Sequence, residues 1–112
     1  MNKKFVLKRN EEIGALISRR QSVGNKYYAI YYKKNEFKRP RIAISVSKRY
    51  GNAVKRNYEK RVTREIMREI IPLLPNLDIL IVIKKELQKQ KFNEKDAQLK
   101  YLFRKITKKI GD

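Results

Sequence analysis

The chain of 112 residues has no cysteine and no histidine. Without thiols it can form neither disulfide bonds nor thiolate zinc sites, and without imidazole it lacks the commonest general base of nucleophilic catalysis. Carboxylates, lysines, tyrosines and hydroxyl groups remain as candidates, and no pattern sets two carboxylates beside an activated group. We therefore predict no catalytic residue and no metal ligand in the protein itself.

Long apolar runs are also missing. Pro72 and Pro75 interrupt the longest apolar stretch, and nothing approaches the roughly 20 residues that a membrane-spanning helix requires. The basic N-terminal residues are not followed by the apolar region of a secretory signal. We therefore expect a cytoplasmic protein that is not membrane-bound.

Acidic residues are scarce, because 11 Asp and Glu stand against 30 Lys and Arg, which gives a formal net charge of +19. A folded domain with this charge repels itself, and a polyanionic partner relieves the repulsion. Nucleic acid, an anionic membrane and an acidic protein all meet that need, and charge alone favours nucleic acid. With hydrophobic residues at 41%, the chain is expected to fold as one domain over residues 1–112.

Hydrophobic periodicity predicts an α+β protein in which three helices pack on a small mixed β-sheet, in the order α-β-β-β-α-β-α. The predicted elements are a helix over 10–20, a strand region over 22–34, a strand over 41–47, a helix over 53–71, a strand over 77–83 and a helix over 93–110. Asn10, Asn52 and Asn93 are the candidate N-caps. The first two strand regions are expected to pair as a hairpin. The third, a near-continuous apolar run, is typical of a central strand covered on both faces.

The second predicted helix has two different sides. At about 100° per residue, its apolar side contains Val54, Tyr58, Val62, Ile66 and Ile70. Its basic side contains Arg56, Asn57, Lys60, Arg61, Arg64 and Arg68. Like charges four residues apart, such as Lys60 with Arg64, destabilise a helix, so folding alone gives no reason to keep them. A phosphate backbone does, because guanidinium groups bind phosphate oxygens bidentately; a solvated basic face is the simpler alternative.

Residues before this helix, and the tyrosines before them, add to the nucleic-acid pattern. Ser45, Ser47 and Lys48 lead into a helix N-terminus, which is a ready site for an anion. In the first strand region Tyr28 and Tyr32 share one side and Tyr27 and Tyr31 the other. One pair is expected in the core. The other either stacks on unpaired bases or is simply a half-buried pair with hydrated hydroxyl groups.

The stretch from Arg41 to Glu65, RIAISVSKRYGNAVKRNYEKRVTRE, resembles the signature of the bacterial ribonuclease P protein subunit, and the likeness extends from the first helix to residues 102–105. The resemblance implies a protein without its own active site. It would assist a catalytic RNA that uses magnesium to remove the 5′ leader from precursor tRNA. It also implies a left-handed β-α-β crossover around the second helix, where general rules predict a right-handed one.

The resemblance further implies two sets of site residues and two partners, the ribonuclease P RNA subunit and precursor tRNA, with no small-molecule substrate and no cofactor on the protein alone. The residues implied to face the catalytic RNA are Lys48, Asn52, Lys55, Arg56, Asn57, Lys60, Arg61, Arg64 and Arg68. The residues implied to line a cleft for the leader are Ile13, Ile17, Tyr28, Tyr31, Ser45 and Ser47. This chain departs from the family in Tyr58, where arginine is usual, and in Ile13 and Ile17, where phenylalanine is common. Because Tyr58 lies on the predicted apolar side, its lost charge is expected to affect packing more than RNA contact.

Two other functions fit parts of the sequence. A structural RNA-binding protein of the ribosomal type has the same size and composition but would not prefer precursor tRNA to mature tRNA. A stand-alone nuclease would have to use Glu59, Glu65 and Glu69, and two-metal nucleases need clustered carboxylates. The simpler account is that these acids pair along the helix with Lys55, Arg61 and Arg68.

Overall fold

A computed structural model describes the backbone of residues 3–111 and the side chains of residues 4–111. Its helices and strands are α1 (Asn10–Arg19), β1 (Ser22–Gly24), β2 (Tyr28–Lys34), β3 (Arg41–Val46), α2 (Ala53–Ile70), β4 (Leu77–Ile83) and α3 (Phe92–Gly111). This confirms the predicted α+β order, with short 3-10 segments at Lys3–Phe5, Lys48–Tyr50, Ile71–Leu73 and Lys85–Lys89. Within the described residues, no helix is both long and apolar enough to span a bilayer.

The sheet is mixed, and its strand order is β1-β2-β4-β3. β4 runs antiparallel to β2 and parallel to β3, so it occupies the interior, as its apolar run predicts. The predicted hairpin between the 22–34 region and β3 is wrong, because β4 lies between the two. A strand that is buried on both faces takes the interior position, where it gains hydrogen bonds along both edges.

The predicted strand region 22–34 consists of two strands, β1 and β2, which gives the three strands that the predicted order has before α2. Asn25 interrupts it, because its Oδ1 accepts hydrogen bonds from the backbone N–H groups of Tyr27 (2.9 Å) and Tyr28 (3.0 Å). A side-chain amide that bonds its own backbone in this way stabilises a turn. The hairpin of this fold is therefore β1–β2, with Val23 opposite Ile30.

The two faces of the sheet carry different layers. α2 and α3 cover one face, where the larger core contains Ile30, Ile42 and Ile81. α1 packs on the other face, where Leu16 contacts Ala43 and Leu80 in a smaller core. The prediction that three helices pack on one small sheet is confirmed, two on one side and one on the other.

The starts of the three helices show which of the predicted N-caps are right. Asn52 caps α2 as predicted, since its Oδ1 accepts from the N–H of Lys55 at 3.0 Å. The other two predicted caps are wrong, because α1 begins at Asn10 itself after Arg9, and α3 begins before Asn93. At α3 a Glu94 carboxylate oxygen accepts from the N–H of Lys91 at 2.9 Å instead. Acidic side chains at helix starts satisfy such N–H groups.

The outer edge of β3 is partly covered by the N-terminal segment. Val6 forms a parallel bridge with Ile42, and the N–H of Leu7 donates to the Ile42 carbonyl at 2.9 Å. At the opposite edge β1 has only three residues. The connection from β3 through α2 to the parallel neighbour β4 has the expected topology, and its left-handed sense stays a prediction.

A buried ion pair joins α2 to α3. Lys95 Nζ lies 2.9 Å from a Glu59 carboxylate oxygen, and the exposed fractions of the two side chains are 8% and 1%. The Tyr50 hydroxyl donates to the same oxygen. Burial, and then this hydrogen bond to Glu59, raise the pKa of Tyr50. The carboxylate therefore has two partners where water cannot reach it.

Glu59→Gln should lower the free energy of unfolding by about 3–5 kcal/mol, because it leaves the Lys95 ammonium buried without a counter-charge. Urea denaturation followed by circular dichroism measures the loss. The matched control is Glu69→Gln, which breaks an exposed ion pair with Lys100 and should cost clearly less. Equal losses in the two variants would mean that the buried pair has no special part in stability.

Candidate nucleic-acid interface

The chain enters α2 through a tight turn. Ser47 Oγ accepts from the N–H of Arg49 at 3.2 Å, and Gly51 then adopts a φ of +154°. Residues that have a side chain rarely adopt this φ, and a Cβ at position 51 would lie 3.0 Å from Lys55 Cδ. The glycine thus permits Asn52 to cap the helix while Lys48 and Arg49 stay exposed beside its N-terminus.

Residues predicted to face RNA reach the surface along α2 and its entry turn, and we call this surface the basic face. Its exposed members are Lys48, Asn52, Lys55, Asn57, Arg61, Arg64 and Arg68. Arg56 and Lys60 are half-buried at its border with the core. Within α2, the residues from Asn57 to Arg68 that belong to this set fall within about 100° of the helix circumference. The structure therefore brings Asn57, Lys60, Arg61, Arg64 and Arg68 together, whereas Lys55 and Arg56 lie at other positions around the helix.

Few carboxylates neutralise the basic face. Among the described residues, its one ion pair joins Arg68 to Glu65 at 3.5 Å, with exposed fractions of 65% and 57%. Such an exposed pair contributes little stability. The Nε of Arg56 is buried and has no hydrogen-bond partner in the described part of the chain. Because the exposed cations of the basic face have so few ion pairs within the described residues, they remain available to an outside anion.

Two of the three acids of α2 point away from the basic face. Glu59 turns inward to Lys95, and Glu69 accepts from Lys100 of α3 at 2.8 Å. Hydrogen bonds to Glu69, and then to Asp96, raise the pKa of Lys100. The predicted pairing of helix acids with Lys55, Arg61 and Arg68 therefore holds only for Glu65 with Arg68. These glutamates have separate partners, and the described residues include no group of three or more acidic, His or Cys side chains placed to hold a metal.

The predicted apolar side of α2 is wrong in its first half. Val54 and Tyr58 are 77% and 56% exposed, and the inward side consists of Glu59, Thr63, Ile66, Met67 and Ile70. Lys95 and Tyr50 hold the carboxylate of Glu59 inside the protein, so this side of α2 faces the core. Tyr58 consequently lies at the margin of the basic face, and its exposure removes the reason for expecting an effect on packing.

A second surface lies between α1 and the open part of the sheet, and we call it the α1 surface. Ile13 packs with Tyr31 and Val82 against the smaller core. Ile17, one turn later, is 47% exposed. Ser45 is exposed and lies opposite Val82 in the sheet. Four residues predicted for the leader cleft, Ile13, Ile17, Tyr31 and Ser45, thus share one surface.

Tyr28 is wrong as a member of this surface. It is fully buried on the opposite face of the sheet, in the same core as Tyr32, because side chains alternate along β2. Its hydroxyl has no hydrogen-bond partner among the described residues, and burial, then the charge of Glu59, raise the pKa of Tyr28 well above its usual range. Tyr27 lies outside β2 and packs on that core as well. Ser47 lies beyond the end of β3, where its hydroxyl accepts from Arg49.

The residues that hold α1 in place were not predicted from the sequence. Arg41 at the start of β3 donates from Nε and Nη2 to both carboxylate oxygens of Asp78, at 2.8 and 2.7 Å. Its Nη2 also donates to Glu12 of α1. The hydrogen bond to Asp78 in particular raises the pKa of Arg41. An acid within the otherwise apolar run of β4 was the available signal, because a buried carboxylate requires a cationic partner.

Known proteins resemble this chain over nearly its whole length. The family model for Ribonuclease P matches residues 1–107. The ribonuclease P protein component of an Exiguobacterium species is 34% identical over 113 aligned positions, which cover 99% of each chain. That of Bacillus velezensis is 35% identical, covering 96% of this chain and 93% of the relative.

Solved structures agree in fold. A mutant RNase P protein of Staphylococcus aureus superposes with a TM-score of 0.86 at 28% identity, covering 95% of this chain and 90% of that one. The RNase P protein of Thermotoga maritima superposes with a TM-score of 0.78 at 27% identity, covering 88% of this chain and 96% of that one. The likeness therefore includes both the helix that carries the basic face and the sheet beneath α1.

Tyr58→Ala should change the free energy of unfolding by less than about 0.5 kcal/mol, because the ring is largely exposed. Met67→Ala, on the inward side of the same helix, should cost about 2–5 kcal/mol through the cavity it leaves. Urea denaturation of both variants measures the difference. If Tyr58→Ala were as costly as Met67→Ala, Tyr58 would have to be buried, and α2 would be rotated about its axis relative to this structure.

Proposed function

Because the chain belongs to the ribonuclease P protein family, we propose that it assists a catalytic RNA in removing the 5′ leader from precursor tRNA. The family acts in tRNA processing as part of a ribonucleoprotein, and an RNA subunit is its partner. The single observation that carries the proposal is the basic face, whose cations have few acids near them. This role places the protein in the cytoplasm.

The basic face is suited to docking on the RNA subunit. The exposed guanidinium groups of Arg61, Arg64 and Arg68 can each form two hydrogen bonds with phosphate oxygens. Lys48 and Lys55, beside the N-terminus of α2, add charge where the helix dipole also favours an anion. Binding should weaken with salt, with a slope of about −0.7 to −0.9 for each phosphate neutralised.

The α1 surface is suited to an unpaired strand such as the leader. Tyr31 offers an aromatic ring, Ile13 and Ile17 offer apolar contact, and Ser45 offers a hydroxyl group. Single-stranded RNA is commonly bound by stacking and apolar contacts of this kind. Contact with both leader and RNA subunit would raise affinity for the precursor over mature tRNA.

Magnesium enters this proposal through the RNA. The cleavage chemistry belongs to the catalytic RNA and its bound Mg²⁺, and this chain contributes cations that reduce repulsion between phosphates. With part of that repulsion screened by protein, the reaction should proceed at a lower magnesium concentration. The protein's own effect is thus on affinity and on the magnesium requirement.

Processing of precursor tRNA by the RNA subunit, with and without this protein, tests the proposed function. At low magnesium the protein should stimulate cleavage, and at high magnesium the stimulation should shrink. Protein incubated with the precursor and magnesium alone is the control and should leave it intact. No stimulation at any magnesium concentration, with equal binding of precursor and mature tRNA, would favour a structural RNA-binding protein of the ribosomal type.

Arg64→Ala should weaken association with the RNA subunit by about 1–3 kcal/mol, because it removes from the basic face one guanidinium group that can bind a phosphate. The exposed side chain has no ion pair among the described residues, so stability should barely change. Filter binding at several salt concentrations measures affinity and slope. Arg104→Ala, at an exposed position of α3, is the matched control, and equal weakening in both variants would remove Arg64 from the site.

Tyr31→Ala should reduce the preference for precursor over mature tRNA, since the ring is proposed to contact the leader. Equilibrium binding of the holoenzyme to both tRNAs measures the ratio. Tyr101→Ala is the control, because Tyr101 is 49% exposed on α3, away from α1. An equal loss of affinity for both tRNAs would argue against a role in leader binding.

A further inference from the structure

A cavity of about 660 Å³ opens where the N-terminal segment, the β2–β3 loop and the C-terminal end of α2 meet. We call it the loop cavity. Its cationic side chains are Lys4, Lys38, Arg39 and Arg68, and within the described residues no Asp or Glu lines it. Phe5, Pro40 and Ile71 provide apolar surface. Positive charge beside an apolar surface fits a nucleotide, because the phosphate is anionic and the faces of the base are largely apolar.

The loop cavity continues the basic face. Arg68, the last cation of the basic face, lines this cavity as well. An RNA strand that follows the exposed cations of α2 toward its C-terminal end therefore meets the loop cavity next. Continuity with a polyanion-binding surface favours RNA over an acidic peptide as the occupant.

The loop that forms one wall is held in a fixed shape. Asn35 Oδ1 accepts from the N–H of Phe37 at 3.0 Å, and Asn35 Nδ2 donates to the Arg39 carbonyl at 3.1 Å and to Asp78 Oδ1 at 2.9 Å. Between these contacts Lys38 is exposed and has a φ of +56°. A loop fixed before binding loses little entropy when a ligand arrives.

Arg39 is positioned in the same wall. Its Nε donates to the Lys4 carbonyl at 2.7 Å, and its Nη1 donates to the Phe37 carbonyl at 3.4 Å. Neither bond uses Nη2. The guanidinium is thus fixed by backbone carbonyls, which hold it without neutralising its charge.

We propose that the loop cavity binds one nucleotide of an RNA strand whose path begins on the basic face. The phosphate lies against Lys38, Arg39 Nη2 and Arg68, and the sugar and base lie over Phe5 and Pro40. This inference rests on the proposed function, because it extends the RNA path assigned to α2. The cavity volume is within the range of ordinary small-ligand sites.

The absence of native cysteine allows a direct test. Lys38→Cys, Lys60→Cys and Lys105→Cys each provide a single thiol, which is labelled with a photoreactive azide before assembly with the full-length RNA subunit and precursor tRNA. Lys60 reports the basic face. Lys105, exposed on α3 with its Nζ 5.0 Å from the Tyr101 ring centroid, is the matched control.

Cross-links from positions 38 and 60 but not from 105 are the expected result. A cross-link from 60 alone would overturn the loop cavity as an RNA site and leave the proposed function intact. No cross-link from any position would overturn both the loop cavity as an RNA site and the proposed function. Equal cross-linking from all three positions would show non-specific binding of RNA and would overturn the loop cavity as a specific site. As a second measurement, Lys38→Gln should reduce the salt slope of RNA binding by about 0.7–0.9, and Lys105→Gln should leave it unchanged.

Discussion

The buried carboxylate of Glu59 decides how α2 faces solvent. Lys95 of α3 and Tyr50 both donate to it, so this side of the helix has to turn inward. A charge in the core is tolerated only where charged and hydrogen-bonding partners surround it. With Glu59 inside, the helical period puts Arg61, Arg64 and Arg68 outside. The surface proposed to meet RNA is therefore the outer half of a helix whose inner half is held by the Glu59–Lys95 ion pair together with buried Ile66, Met67 and Ile70.

Carboxylates elsewhere in the protein also serve structure and leave the basic face charged. Asp78 and Glu12 hold Arg41 and so attach α1 to the sheet, and Glu69 joins α2 to α3. With a net charge of +19, the folded state has to withstand its own repulsion. The apolar strand β4, buried in the interior between two neighbours, supplies much of the cohesion that this requires.

Elements with their own strong pattern could be predicted from the sequence, and relations between elements could not. The apolar run of β4 predicted an interior strand, and the exposed cations of α2 were found from their spacing. Pairing of β2 with β3 was expected because they are neighbours in the chain, whereas β4 separates them. The exposure of Val54 and Tyr58 was missed because a helical-wheel projection of α2 alone does not include Lys95 of α3. Tyr28 was misplaced in the same way, since alternation along a strand does not say which face is covered by which helix.

The short edges of the sheet have a consequence for the free protein. An exposed strand edge is a template on which a second copy of the chain can add its own strand. Here β1 has three residues, and Val6 and Leu7 occupy part of the β3 edge. Backbone groups along the sheet therefore offer little room for self-association, and charge repulsion between copies acts in the same direction. Short edges and positive charge therefore both oppose aggregation of the free protein, and they leave side chains as the main groups for contact with other macromolecules.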